Sequence, residues 1–244
     1  MIAWKTQLDR RYRLLHYRGV TGNLYLVADT EAASTVLVDC GMPADLPGLL
    51  DVLSDLPPLE RVVCTHFHID HVGGWRGLKK QFPELTIWFR EPARPWVCGQ
   101  RRLPPPGIRV LRDLFWPVMR EYDYRPAWRD IRATGFYGTG FRPGFPTNGV
   151  RFFSDDEHLL PGFDTLPTPG HRPEHTAFWH PDRRILICGD CLLHLDGRVL
   201  TENFLSSPVD QALSLDRIRR LGPIDHLCPG HGRCVSWDPA AGER

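Results

Sequence analysis

Cys64-Thr65-His66-Phe67-His68-Ile69-Asp70-His71-Val72-Gly73-Gly74 places three imidazoles and one carboxylate within six residues, directly after the apolar pair Val62-Val63. Imidazole nitrogen and carboxylate oxygen are the donors that first-row divalent ions such as zinc accept. While the chain stays extended, side chains alternate, so His66 and His68 point to one side and preset two donors for one ion. Asp70 and His71 are adjacent and diverge, and a turn after the strand aims that pair at a second ion. The spacing H-x-H-x-D-H therefore suits two metals. A lone histidine is more often solvated or satisfied in the core, but four donors in so short a run favour ligation.

Working outward, residues 61–64 read as the strand that delivers the motif. Upstream, Leu46, Leu49, Leu50 and Leu53 recur at i, i+3, i+4 and i+7, which predicts an amphipathic helix over 44–55, with Pro47 in its first turn and Pro57-Pro58 as its stop. Downstream, Val72, Trp75, Leu78 and Phe82 predict a second helix, and Gly73, Gly74 and Gly77 permit close backbone approach near its start. Residues 85–90 form the next strand. Three earlier runs, 12–17, 23–28 and 35–39, predict a hairpin or meander. The last of them delivers Asp39 into a glycine turn, either as a turn former or as the partner of a metal-binding imidazole. Strand, helix, strand, helix, strand is an α/β signature.

Residues 91–148 break that rhythm. They are rich in Pro, Arg and aromatics and carry ten arginines against five acidic residues. Residues 110–121 read as a helix with Val110, Leu111, Leu114, Phe115 and Val118 on one face, and Gly135 to Gly144 as a long loop. So many aromatics argue against disorder, leaving a lid or substrate-pocket wall, or a homodimer contact.

Strands then return at 150–153, 163–168, 175–180, 184–188 and 224–228. A helix over 209–221 offers Val209, Ala212, Leu213, Ile218 and Leu221 to the core. Three of these strands end at a donor: Pro169-Gly170-His171, Gly189-Asp190 and Pro229-Gly230-His231. Sites in α/β sheets form beyond the carboxyl ends of strands, so these ends and the motif can converge on one cleft. His171 can then join His66 and His68, His231 can join Asp70 and His71, and Asp190 can bridge both ions.

Asp39, His66-x-His68-x-Asp70-His71, His171, Asp190 and His231, in that order and over nearly the whole chain, resemble the metallo-β-lactamase superfamily, in particular its glyoxalase II-like hydrolase branch. The resemblance implies an α/β (α+β) protein, a four-layer αββα sandwich forming a single domain over 1–244, with the metal site at one edge of the two sheets. It implies two divalent ions, zinc first and iron or manganese as alternatives. The activity it implies is hydrolysis of an ester, lactone or thioester by a metal-bridged hydroxide, with Asp70 directing or accepting a proton. The rivals are a single-iron persulfide oxidation and a phosphodiester cleavage.

The departures narrow this. Cys191-Leu192-Leu193 lacks the tyrosine that lactone-hydrolysing members often carry after the bridging Asp. The chain ends at Arg244, where glyoxalase II enzymes continue into a helical thioester-binding region, and Asp190 argues against antibiotic hydrolysis. Arg172 is read as a surface ion pair with Glu174, with a substrate anion as its alternative partner. His175, His194 and His226 are read as structural, with proton transfer as the alternative, and Cys188-x-x-Cys191 as a coincidence of spacing.

Composition bounds the rest. A chain of 244 residues buries roughly 70–75% of its unfolded surface and needs no disulfide staple. Thirty basic and 29 acidic residues give a net charge of +1, which weighs against a nucleic-acid partner; the partner expected for the hydrolase is a small-molecule substrate. Seven scattered cysteines fit free thiols in a reducing compartment. Without a leader-like N-terminus or a long apolar run, a cytoplasmic protein with no membrane contact is expected.

Overall fold

The computed structural model describes residues 1–104, 107–108, 111–139, 141–142, 144–201 and 204–241. Its first sheet takes seven strands in sequence order: β1 (Ile2–Gln7), β2 (Tyr12–Arg18), β3 (Asn23–Asp29), β4 (Ser34–Val38), β5 (Leu59–Val63), β6 (Thr86–Arg90) and β7 (Val150–Phe153). β1 to β4 form an antiparallel meander, and β4 to β7 run parallel. The second sheet has the order β14 (Val235–Trp237), β13 (Ile224–Pro229), β10 (Ile185–Gly189), β9 (Thr176–His180), β8 (Asp164–Pro167), and a small hairpin joins β11 (Leu193–Leu195) to β12 (Arg198–Leu200). Helices are α1 (Leu46–Ser54), α2 (Ile69–Val72), α3 (Trp75–Gln81), α4 (Arg94–Val97), α5 (Trp116–Glu121), α6 (Trp128–Ala133) and α7 (Pro208–Arg219).

Strand alternation builds the layers. Leu24, Leu26, Leu37 and Val62 face α1 and α3, where Leu49, Leu53, Trp75 and Leu78 close the first core. Their neighbours Tyr25, Val27, Val36, Val38 and Val63 face the other way and meet Phe178, Ile185, Ile187 and Cys228 between the sheets. Leu186 and Cys188 point outward again, onto Ile218 of α7. Because both faces of these strands are covered, the sequence there runs apolar without a break, as in Leu24-Tyr25-Leu26-Val27. Helix, sheet, sheet, helix is the predicted order of layers. Among the described residues, no helix is long and apolar enough to cross a membrane.

Several elements differ from expectation. The second predicted helix breaks into α2 and α3 at Gly73-Gly74, where a side chain on Gly74 would collide with the Cys40 carbonyl at the end of β4. Close approach is required there, but to the neighbouring strand end. In α7, Val209 and Leu213 are exposed, and the buried positions are Gln211, Ser214 and Ile218. Polar contacts explain this: Gln211 donates to the Cys191 carbonyl at 2.9 Å and Ser214 to the Pro169 carbonyl at 2.6 Å. Residues 111–115 wind as a π-helical turn into α5, and Val110 lies outside the described residues. Strand β1 was not expected. Its sequence, Ile-Ala-Trp-Lys-Thr-Gln, alternates half-buried and exposed positions, as an edge strand does.

The segment 91–148 divides by burial. Trp96, Tyr137 and Phe145 join Phe67 and Phe89 in the first core, so this part packs behind the histidine motif. Val118 and Met119 pack on Leu193 and Leu195 of the small hairpin. Trp116, Trp128 and Phe141 remain exposed. Some of the segment's arginines are paired, Arg94 with Glu91 and Arg112 with Asp113 inside it and Arg120 with Asp196 outside it.

Candidate metal centre

Five strand ends meet at one edge of the two sheets. β4 ends in Asp39, β5 in the motif, β8 in the turn to His171, β10 in Asp190 and β13 in the turn to His231. All seven predicted donors arrive together, as His66, His68, His171 and Asp190 in one group and Asp70, His71 and His231 in the other, with donor atoms in each group within 4.8 Å of one another.

In the first group, His68 Nδ1 lies 3.1 Å from His66 Nε2 and 2.9 Å from His171 Nε2. Asp190 Oδ2 is 3.8 Å from both Nε2 atoms. In the second, His231 Nε2 is 3.3 Å from Asp70 Oδ2. Asp190 reaches here too, with Oδ2 at 3.3 Å from His231 Nε2 and Oδ1 at 3.4 Å from His71 Nε2. One carboxylate thus spans both groups. Asp70 has a side chain 30% exposed and marks the mouth, whereas His66, His71, His171, Asp190 and His231 are buried.

The far nitrogen of most of these rings is held by the fold. His71 Nδ1 donates to Asp39 Oδ2 at 2.8 Å, His171 Nδ1 to the Phe204 carbonyl at 2.8 Å, and His231 Nδ1 to the Thr21 carbonyl at 2.7 Å. His66 Nδ1 contacts Thr65 Oγ1 at 3.0 Å. A proton fixed on Nδ1 turns the Nε2 lone pair toward the centre, as in sites where a carboxylate or carbonyl orients a metal-bound imidazole. Asp39 does more than form a turn: its two oxygens also accept from the Thr65 amide and hydroxyl, both at 2.8 Å. It holds that post in the left-handed region at φ 59°.

Electrostatics separates the groups. Burial holds His66 and His68 well below the usual imidazole range. At His231 burial acts downward, but Asp190 and Asp70 outweigh it and the imidazole is pushed up to about 10. His71 is likewise raised, burial being overcome by Asp190, Asp39 and Asp70. Burial pushes Asp190 upward, but His231 and His71 hold it well below the carboxylate range. Buried carboxylates facing converging imidazoles call for positive charge, held as protons on His71 and His231 or supplied by a cation.

A divalent ion fits that demand. Ligand atoms about 2.0–2.1 Å from a tetrahedral ion stand roughly 3.3 Å apart, close to the nitrogen spacings here. His71 Nε2 and Asp190 Oδ1 are buried and make no hydrogen bond. Buried polar atoms left so are rare, and a cation lodged between the groups would satisfy both.

Other candidates fall elsewhere. The Arg172–Glu174 ion pair forms at 3.1 Å but is buried, not on the surface. Glu174 also accepts the Phe67 amide at 3.2 Å, and the Arg172 guanidinium lies 4.5 Å from the Trp96 ring centre, so the pair ties the His171 segment to the back of the motif. His175 accepts the Asp190 amide at 3.1 Å, and burial depresses it to about 3, leaving a neutral imidazole that fixes the Asp190 turn. His194 donates its backbone amide to the His231 carbonyl at 3.1 Å, and His226 packs on Trp4. Cys188 and Cys191 are buried, and burial raises both thiols, Cys191 to about 12.

Sequence reasoning missed Thr21 and Phe204, which act through carbonyls that every residue possesses. It also missed Tyr122 from the 91–148 segment. The Tyr122 hydroxyl accepts the Gly232 amide at 3.0 Å and donates to Asn23 Oδ1 at 2.9 Å, pinning the His231 loop.

Comparisons with known proteins bear on the family and the fold. A probable metallo-hydrolase, YflN of Bacillus subtilis, is 24% identical over 71% of this chain and 62% of its own length. A hydroxyacylglutathione hydrolase of Thermosynechococcus vestitus is 26% identical over 86% of this chain and 62% of its own. The chain thus spans about three-fifths of these relatives. Among solved structures, TTHA1623 in a di-iron-bound form is 26% identical at a TM-score of 0.60, covering 91% of this chain and 93% of its own. The BLEG-1 B3 metallo-beta-lactamase shares the fold at 18% identity and a TM-score of 0.60, over 92% of this chain and 93% of its own. The sequence model described as the metallo-beta-lactamase superfamily matches residues 17–231, and the chain belongs to that superfamily.

Proposed function

We propose that the protein is a metal-dependent hydrolase of small acyl substrates, an ester, lactone or thioester, with His66, His68, His171 and Asp190 holding one divalent ion and Asp70, His71, His231 and Asp190 the other. The observation that carries this reading is the span of Asp190, whose two oxygens face donors of both groups. Two ions held so, when bound, lower the pKa of water towards neutrality and polarise the acyl oxygen of a substrate.

The chain's own residues supply the rest. Asp70, at the mouth, is kept ionised by His71 and His231 against the upward push of burial, so it offers a carboxylate acceptor that directs a proton of water or substrate. The Nδ1 bonds keep the rings from turning as charge develops. Aromatic residues of 91–148, Trp96, Tyr137 and Phe145, back the motif from the first core. Zinc is the first choice of metal, and the di-iron form of a relative at 26% identity keeps iron as the second.

Elemental analysis followed by a screen of ester, lactone, thioester, phosphodiester and persulfide substrates tests the proposal. Two ions per chain and acyl hydrolysis, both lost in Asp190→Ala and His68→Ala, are expected. One iron per chain with oxygen uptake on a persulfide, or unchanged hydrolysis and metal content in the variants, would overturn it.

A further inference from the structure

Cys228 and Cys234 bracket the loop 229–233 that carries His231, and both are free thiols. β13 and β14 pair antiparallel with Leu227 opposite Val235, and one further step of that register sets Cys228 opposite Cys234. Directly opposed residues in an antiparallel pair have Cα atoms about 4.5 or 5.5 Å apart, and a disulfide accepts either spacing. Cys228 is buried between the sheets and Cys234, half-buried, packs against the same cluster.

The surroundings suit attack by Cys234. His16 Nδ1 lies 3.5 Å from its sulfur and the Tyr25 hydroxyl 3.6 Å, with the His16 ring stacked on Tyr25 at 5.1 Å. A hydrogen bond from Cys228 and a second from His16 hold the Cys234 thiol well below its usual range, whereas burial raises Cys228. An activated, partly accessible thiol beside a buried one is the arrangement of an attacking and a resolving cysteine. None of the groups named here belongs to the metal centre.

We propose that Cys228 and Cys234 are a hydroperoxide-responsive dithiol pair that closes into a cross-strand disulfide at the base of the His231 loop. The Cys234 sulfur attacks the distal peroxide oxygen; an S–O bond forms, the O–O bond breaks, and the leaving alkoxide or hydroxide takes a proton. The Cys228 sulfur then attacks the sulfenic sulfur, the S–S bond forms, and the S–O bond breaks to release water with the Cys228 proton. Two thiols lose two electrons, and one hydroperoxide becomes one alcohol and one water. Closure ends the contact of Cys234 with His16 and ties off the loop below His231.

Hydrogen peroxide on the full chain tests this, with denaturing alkylation of residual thiols, trypsin and mass spectrometry. Cleavage at Arg233 separates the two cysteines into peptides 221–233 and 234–244. The expected product is those two peptides joined, with the loss of two hydrogens reversed by dithiothreitol, and with Cys234 consumed roughly ten-fold faster than exposed Cys98. In Cys228→Ser, Cys234 should stop at a sulfenic acid that dimedone traps. Recovery of both cysteines as alkylated free thiols, or oxidation of Cys98 ahead of Cys234, would overturn the pair. The readout is thiol mass, so the outcome is independent of whether the centre hydrolyses acyl bonds.

Discussion

Asp39 is a residue whose worth lies in what it holds. It accepts from His71 and twice from Thr65, so Asp39→Asn keeps the turn but loses the acceptor that fixes the His71 tautomer. Metal affinity should fall about 10–100-fold, measured by competition with a chelator, while the circular dichroism spectrum stays unchanged. Gly230 matters for the opposite reason. A Cβ there would overlap Asp190 Oδ1 and come within 2.9 Å of His71 Cε1. Gly230→Ala should therefore fold and yet lose most of its bound metal; full metal occupancy in that variant would contradict the placement of Asp190. The donors were legible because ligation needs a few residue types at strand ends. The carbonyls of Thr21 and Phe204 that orient them were not, since no side chain announces them.

Among the elements, the segment after β8 holds a buried charge pair, Arg172–Glu174, whose carboxylate also accepts the Phe67 amide of the motif after β5. Glu174→Ala strands the Arg172 guanidinium and the Phe67 amide, and stability should fall by about 3–5 kcal/mol in urea denaturation, with Glu174→Gln costing clearly less. If the two substitutions cost the same, the pair contributes no charge interaction. At the β2–β3 hairpin end, Arg11 grips Asp29 through both carboxylate oxygens, at 2.7 and 2.5 Å, and that bond chiefly pulls the carboxyl down to about 2. Its folded pKa is below its unfolded value, so its contribution is present above about pH 4 and lost as pH falls towards 2. Asp29→Asn should flatten that limb of the stability curve and match wild type at the acid end. Long elements with one apolar period, such as α1, could be read from sequence. β1, β14 and the small hairpin escaped because short or edge strands carry too few buried positions to set a period, and α7 misled because its buried face is polar.

For the whole molecule, metal loading is coupled to protons and to folding. His231 stands at about 10 without a cation, so at pH 7 a bound ion displaces its proton. Zinc added to the metal-free protein in weak buffer should release protons, seen with an indicator dye, and affinity should weaken as pH falls. Thermal stability should rise with free metal, because the ion binds only the assembled centre. A melting temperature indifferent to metal would deny that assembly. The layers themselves follow from runs apolar on both faces, but their division into two facing sheets was reached only through family resemblance, since alternation does not say which sheet lies opposite.

That division has one more consequence. Strands of the first sheet all end by Phe153 and those of the second all begin at Asp164 or later, so the chain passes from one to the other once, through 154–163. His66, His68, Asp70 and His71 belong to the leading stretch; His171, Asp190 and His231 belong to the trailing one. Cut within that passage, the protein becomes two pieces that each own an unfinished set of donors. The metal is then a coincidence detector: it is held at full strength only where both pieces are present and joined face to face.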